Sequence, residues 1–476
     1  MGFTTRKICL KIHAIDLPQA RTKEIFRSFP LISLSWQKNC IIIFCMIEEA
    51  PKYENFLDQA IPILLNPKYQ DAINRINQEY LYWDKVKYRT PEDLDSRNFW
   101  AAVKYSRRGE QIAFAPYTFQ LEQTNYMQQL LHEFDMNFGG TLTSSAVISE
   151  KNRQYYLLSS IMEEAIASSQ MEGANTTRKV AKEMLRKQAK PKDKSQQMIV
   201  NNYNTIRYLS EHQNEDLSIE LLLDIHKKIT EKTLDNPQDE GRFRTEDNII
   251  VANGITGEVA HEPPPCTLLY TILKQICDFA NQDKFFIHPV LKAIIIHFMI
   301  SFLHPFVDGN GRTARSLFYW YMLKKGYWMT EFLSISRIIY KKKSQYEKAF
   351  LYTEHDNLDL GYFVTFNLRV LKESYEELKL YLERKSKEEN SLVELKIHGI
   401  NERQAQIIKL CMQKPSSLFV CKELVVRFNV NVKTIRSDLA GLVELGLLQT
   451  IPVNKRLVGY TRAPDFDGIL SELRGN

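Results

Sequence analysis

The sequence has no dominant charge, no long apolar run and no paired cysteines, and each absence narrows what the chain can be. Its 63 basic residues against 57 acidic leave a formal charge of +6 over 476 residues. That excess is too small to argue for nucleic-acid binding unless a local patch carries it. The longest apolar stretch, residues 291–306, is interrupted by Lys292, His297, Ser301 and His304 and is too short and too polar to cross a bilayer. No membrane partner is expected. Near the start, Arg6, Lys7 and Lys11 precede apolar runs broken by Gln37, Lys38 and Asn39, which is not a signal-peptide pattern. The seven cysteines (Cys9, Cys40, Cys45, Cys266, Cys277, Cys411, Cys421) are scattered without C-x-x-C spacing. Reduced thiols in the cytoplasm are the expectation. No internal repeat is visible.

What remains is an ordinary globular composition, 44% hydrophobic and 25% charged, of a length that suits two to four domains. Residues 1–45 are basic and sustain no helical or strand period. They read either as a folded arm or as a leader ahead of translation starting at Met46, and the missing period favours the second. An N-terminal helical domain is expected over 46–145. Phe56, Ile61, Leu64, Ile73 and Ile76 give a helical pattern over 54–84, followed by an interrupted stretch and a second helix near Tyr126. From 149 to 172, Tyr156, Leu157, Ile161, Ala165 and Ile166 are spaced as on one amphipathic helix, which Gly173 ends. More helices are expected at about 177–185, 199–212, 218–233, 267–281, 287–303, 310–325 and 356–383. Between them, residues 248–265 read as a β-hairpin, with Asn253-Gly254 and Gly257 between two apolar triplets. The charged stretch 383–394 reads as a linker to a different module at 401–476. The fold class is mainly α.

Chemistry concentrates in twelve residues, His304-Pro-Phe-Val-Asp308-Gly309-Asn310-Gly311-Arg312-Thr-Ala-Arg315. They read as a helix end, a tight turn and a new helix start. Gly309 and Gly311 allow a sharp turn and close approach of a ligand. The amides of the new helix, with its dipole, favour a phosphate. Arg312 and Arg315, three apart, project from one face towards that anion. Asp308 beside a phosphate suits a magnesium ion, which takes one carboxylate plus phosphate oxygens and water. His304 has the side chain whose ordinary pKa suits a general base near neutral pH.

This run resembles the Fic family signature, H-x-F-x-[D/E]-G-N-G-R-x-x-R, at every specified position, and the resemblance covers most of 146–385. It implies an all-helical Fic fold with a hairpin flap, and a protein adenylyltransferase moving AMP from ATP to a Tyr, Thr or Ser hydroxyl. His304 would take the hydroxyl proton and Asp308 would hold Mg2+. Asn310 with the amides of Gly309 and Gly311 would hold the α-phosphate, and Arg312 and Arg315 the outer phosphates. Phe306 would anchor the core. Upstream, Ser168-Ser-Gln-Met-Glu172-Gly173 is similar to the family's inhibitory pattern, implying that helix 149–173 brings Glu172 to Arg315 and restrains the enzyme. The hairpin 248–265 corresponds to the flap on which a target protein docks. Gly241-Arg242-Phe243-Arg244 before it frames the site. Removal of AMP by the same site, a different nucleotide donor, and a DNA-binding regulator with a nucleotide-sensing Fic domain stay open as alternatives.

Residues 401–476 are similar to a winged helix-turn-helix domain. The expected helices contain Ile407 and Ile408, then 422–428, then 432–445 with Ile435, Leu439 and Leu442 inward. A wing is expected from strands at 447–451 and 457–461. Lys433, Thr434 and Arg436 on the third helix, with Lys455 and Arg456 at the wing tip, would suit DNA. Protein contact fits the pattern equally, and a homo-oligomer stays open.

Overall fold

The computed structural model describes residues 47–139, 150–252, 259–391, 399–454 and 457–475. The expected 1–45 extension lies outside the described residues. So do the hairpin tip at 253–258 and the wing-tip residues Lys455 and Arg456.

The helical pattern over 54–84 is divided. A short 3-10 turn, Tyr53–Phe56, leads into α1 (Leu57–Leu65), α2 (Pro67–Glu79) and α3 (Trp83–Val86). Pro67 cannot continue α1 but starts α2 well, with the Asn66 side chain accepting from Lys68 N–H. The stretch expected to be irregular before Tyr126 instead holds α4 (Ser96–Ser106) and a hairpin of β1 (Glu110–Phe114) and β2 (Tyr117–Leu121). Then come α5 (Asn125–Phe138), α6 (Glu150–Met171), α7 (Arg178–Lys187), α8 (Lys194–Glu211) and α9 (Ile219–Thr230).

In the 248–265 hairpin the second strand is the expected triplet, and the first is shorter and shifted to Val251–Ala252. β3 (Val251–Ala252) pairs antiparallel with β4 (Val259–His261), His261 opposite Val251. After α10 (Cys266–Asn281), two helices make the centre of the molecule. In α11 (Pro289–Leu303) nearly every residue is buried, as expected of a helix that is apolar all round. Its one lysine, Lys292, is satisfied by Asp283 at 2.7 Å and by the carbonyls of Phe279 and Gln282. The second, α12 (Asn310–Lys324), packs along α11 and buries Phe318, Tyr319, Trp320 and Tyr321, so that aromatic run is core. α13 (Ile335–Lys341) and α14 (Lys343–His355) follow.

Of the stretch 383–394, expected as a linker, residues 383–391 are helical, and 392–394 lie outside the described residues. α15 runs from Gly361 to Ser391. Glu, Lys, Arg and Leu are all good helix formers, so a charge run of them extends a helix as readily as it separates domains. Beyond it, α16 (Glu402–Gln413), α17 (Cys421–Phe428), α18 (Val432–Glu444) and α19 (Phe466–Gly475) surround a separate apolar core of Ile407, Ile408, Leu424, Ile435, Leu439 and Leu442. β5 (Leu418–Val420), unexpected, joins β6 (Leu448–Asn454) and β7 (Leu457–Arg462) in the antiparallel order β5–β7–β6. α17 packs on α6 and α7, with the Arg427 guanidinium 4.7 Å above the Tyr155 ring. No described helix is long and apolar enough to cross a membrane.

The N-terminal helices are riveted to the turn before α15 by a buried charge cluster. Lys104 of α4 sits 2.8 Å from Asp356 and 2.6 Å from Asp359. Tyr362 donates to Asp356 and Tyr80 to Asp359. Burial disfavours the Lys104 charge, but the two carboxylates outweigh it and raise its pKa. Removing one partner of a buried charge cluster leaves the others uncompensated. Lys104→Met is therefore expected to cost about 3–5 kcal/mol, read from the urea midpoint. A loss below about 1 kcal/mol would show that the cluster is not what holds the layers together.

Candidate active site

α11 ends where it does because His304 turns left-handed, with φ 46° and ψ 55°. Six residues later α12 begins behind Gly309, also left-handed at φ 85°. A Cβ on Gly309 would come within 2.8 Å of the Thr230 methyl and 3.3 Å of the His226 ring. Both the backbone conformation and the close approach thus require glycine.

His304 is partly buried, and its Nδ1 lies 3.0 Å from the Ser301 carbonyl. A carbonyl only accepts, so Nδ1 carries the proton and Nε2 carries the lone pair. Burial pushes the imidazole down to about 4 from its ordinary 6.5, with smaller contributions from the cations His261 and Arg244. The ring is neutral at physiological pH, a base with one assigned nitrogen.

The turn between the helices is closed by its own side chains. Asn310 accepts from Phe306 N–H at 2.9 Å and donates to the Phe306 carbonyl at 2.8 Å. Its carboxamide, expected on a phosphate, thus also closes the turn on the backbone, with one N–H of its two used in that bond. Asp308 is half-exposed; its Oδ1 accepts from Gly309 N–H at 2.5 Å and lies 3.5 Å from Arg312 Nη2. Among the described residues no cluster of three or more ligating side chains could hold a metal alone. A magnesium ion on Asp308 would complete its shell from phosphate and water, which is how such ions are commonly held. The residues present fit that role.

The two arginines diverge more than their spacing suggests. Arg312, fully buried, donates to the Ile229 carbonyl at 3.1 Å, and its Nε is buried without a partner. Arg315 turns to α6. Its Nε donates to Ser168 Oγ at 2.9 Å, and Nη2 donates to the Ser168 carbonyl at 3.0 Å and to Glu172 Oε1 at 2.9 Å. Ser168 and Glu172, four apart on one helix face, thus converge on one guanidinium. The same carboxylate lies against Gly311, where an added Cβ would be 2.2 Å from Glu172 Oε1. Glu172 stands on the first turn of α12, at the positive end of the helix.

α6 is held there by polar bonds on several sides. Glu163 pairs with Arg178 at 2.6 Å and with Lys182. The buried Glu164 accepts from Ser336 N–H at 2.9 Å, and burial raises its pKa. Asn202 of α8 donates to the Ala165 carbonyl at 3.4 Å.

Three residues not expected among the reacting or binding groups belong to the site's frame. His226 stacks flat on Phe306 with ring centroids 3.7 Å apart. It accepts from Gly241 N–H at 3.1 Å and donates to the Asp308 carbonyl at 2.9 Å, and burial pushes it down to about 4. In sequence it falls within the apolar stripe Leu222, Ile225, Ile229 and reads as core. Arg244, expected only to frame the site, donates to the His304 carbonyl at 2.9 Å. His261 lies at the end of β4, and its one sequence signal is the proline run Pro263–Pro265 that follows.

Residues 216–322 match the model of the Fic/DOC family. The protein adenylyltransferase Fic of Drosophila willistoni is 29% identical over 116 residues, 24% of this chain and 21% of that protein. The protein adenylyltransferase fic-1 of Caenorhabditis elegans is 30% identical over 116 residues, again 24% and 21%. The matched region spans about a fifth of the length of these curated relatives. A solved fragment of Fic-1 from C. elegans has a TM-score of 0.42 at 18% identity, covering 71% of this chain and 96% of that one.

The contact between Gly311 and Glu172 makes a sign-reversing prediction. In the parent chain, Gly311→Ala should lose about 1–3 kcal/mol because the methyl meets the carboxylate. In a Glu172→Gly background the same change should be neutral or gain up to about 1 kcal/mol, as alanine does over glycine within a helix. Urea unfolding of the four proteins of this cycle tests it. Equal effects in both backgrounds would remove Glu172 from the first turn of α12.

Proposed function

We propose that this chain, which carries a Fic domain, transfers AMP from ATP to a hydroxyl group of a protein and is restrained by its own Glu172. The observation that carries the reading is the convergence of Ser168 and Glu172 on Arg315, beside a neutral His304 whose Nε2 is unprotonated. In this reading the acceptor hydroxyl attacks the α-phosphorus. A new oxygen–phosphorus bond forms, the α–β anhydride bond breaks, and pyrophosphate leaves. The hydroxyl proton passes to His304 Nε2. The amides at the start of α12 hold the α-phosphate, and Arg312 and Arg315 take the outer phosphates. Magnesium on Asp308 would neutralise phosphate charge.

Restraint follows from competition for one cation. While Glu172 holds Arg315, the γ-phosphate lacks its partner and the α-phosphate is poorly aligned for attack. Glu172→Gly is expected to raise self-modification with ATP and magnesium by at least about tenfold, roughly 1.4 kcal/mol of barrier. Intact mass reads this as addition of AMP. Adding Arg315→Ala should lower the rate again, and adding His304→Ala should abolish it with ATP affinity largely kept. A rate unchanged or lowered by Glu172→Gly in a folded protein would sink the inhibitory assignment. Because burial lowers the His304 pKa, its base form persists well below neutrality. The acid limb of the pH–rate profile of Glu172→Gly should therefore lie below the ordinary imidazole value of 6.5.

For 401–476 we propose a winged helix-turn-helix domain, on the support of three helices and the β5–β7–β6 sheet. Exposed Lys433 and Arg436 on α18 suit phosphates, while exposed Ile451, Val453 and Val458 on the strands suit a protein surface. If the module binds DNA, the full chain should retain duplex at low salt, where phosphate contacts are strongest, and lose it on Lys433→Ala with Arg436→Ala. Absence of retention even at low salt would leave the protein-contact reading.

A further inference from the structure

His261 stands between two acceptors at the end of β4. Its Nδ1 lies 2.7 Å from Glu354 Oε2, and its Nε2 lies 2.7 Å from the Phe302 carbonyl. A carboxylate and a carbonyl only accept, so both ring nitrogens carry protons and the ring is an imidazolium. Burial works against that charge, but Glu354 and the Phe302 carbonyl outweigh it and raise the pKa above the ordinary value.

The place of this cation matters. Phe302 is in the last turn of α11, whose final carbonyls have no partner within the helix and form its negative end. Arg244 caps the same end. It donates to the His304 carbonyl at 2.9 Å, to the Glu246 carbonyl at 3.1 Å, to Asp247 at 2.7 Å and to the Pro264 carbonyl. Arg244 thus ties both limbs of the hairpin, the returning one at Pro264, to the helix end that carries His304, and His261 ties the returning limb again at the end of β4. His261 makes the more direct tie to the strands themselves: it is the last residue of β4, whereas Arg244 precedes β3 by seven positions and meets the returning limb three residues beyond β4.

We propose that His261 is a positioning residue, clamping the returning strand of the hairpin to the end of α11 so that an extended polypeptide paired with the hairpin edge brings its hydroxyl to His304. The inference rests on the proposed transfer to a protein hydroxyl. The charged or titratable groups around the ring are Glu354 from α14, Arg244 ahead of β3, and His304 beyond α11. Deprotonation leaves one ring nitrogen facing an acceptor without a hydrogen, so the clamp is present below the raised pKa and weakens as pH rises through it.

The test uses the full chain carrying Glu172→Gly, with His261→Ala, the milder Glu354→Gln, and both together. Hydrogen exchange is followed by mass spectrometry over 259–266 and over 310–324, ATP affinity by calorimetry, and self-modification by intact mass. His261→Ala should speed exchange over 259–266 at least about tenfold while 310–324 stays protected. ATP affinity should hold within about twofold, and self-modification should fall at least about tenfold, as misplacing one reactant does. Glu354→Gln should shift exchange the same way by less, and the double variant should be no worse than His261→Ala alone. Unchanged exchange over 259–266 in both single variants overturns the clamp. So does loss of protection that spreads into 310–324 with ATP affinity falling in step, which is a general structural role. If the Glu172→Gly parent adds no AMP, the transfer reading fails, while the exchange and ATP measurements still decide whether the clamp exists.

Discussion

Two buried helices meet end to start, and the unpaired backbone groups at that junction organise everything around it. α11 stops at Leu303 and α12 starts at Asn310. The first leaves carbonyls without donors and the second leaves amides without acceptors, with the helix dipoles adding negative and positive potential respectively. The neighbours complement each end by charge. His261 and Arg244 cap the carbonyl end, and Glu172 stands on the amide end. His304 and Asp308 lie between, on a turn short enough to need Gly309 in a conformation other residues rarely adopt.

This arrangement explains why α6 is placed by polar bonds as much as by apolar packing. A buried Arg315 must be satisfied, and Ser168 and Glu172 satisfy it from one face of one helix. That satisfaction requires α6 in a particular rotation, which Glu163, Glu164 and the Asn202 bond secure from other sides. A phosphate replacing Glu172 would leave Arg315 satisfied and the helix end still faced by an anion. The ground state and a nucleotide complex therefore differ little in what is left unpaired at the junction. Such an exchange is the minimum requirement for a restraint that can be relieved.

The candidate site's turn was legible in the sequence because its parts are contiguous: glycines, acid, amide, histidine and two arginines in twelve residues. The partner of Arg315 was not legible from spacing, since Glu172 is 143 positions away. Only the resemblance to a family pattern pointed there, and the geometry of the pair agrees with it. For Asn310 residue type alone showed only part of the role, because its carboxamide also closes its own turn on the Phe306 peptide, using one of its two N–H donors. His226 and His261 escaped, and Arg244 was seen only as part of the frame, because each is a single residue and key partners are backbone atoms, the Asp308, His304 and Phe302 carbonyls, 41 to 82 positions away. Backbone acceptors leave no trace in sequence. The charge-rich stretch after residue 383 misled for a different reason, since helix formers and linker residues overlap in composition.

The depressed pKa of His304 has a use beyond keeping the ring neutral. An ordinary imidazole is already mostly neutral at pH 7, so burial that lowers it further weakens a general base to no benefit in the nucleotide-free protein. A bound triphosphate changes this. Its negative charge favours the imidazolium and raises the pKa of any histidine beside it. A base starting near the ordinary value would then be protonated when the nucleotide arrives, unable to accept a proton from the attacking hydroxyl. On the proposed transfer, a His304 that starts from about 4, with the cations His261 and Arg244 nearby, has room to rise while staying below the ordinary 6.5, and so would remain a base when phosphate is present. On the proposed transfer, the two cations at the end of α11 would therefore serve the chemistry and the backbone together: they cap the helix, and they would hold the base in the form that a nucleotide's charge would otherwise remove.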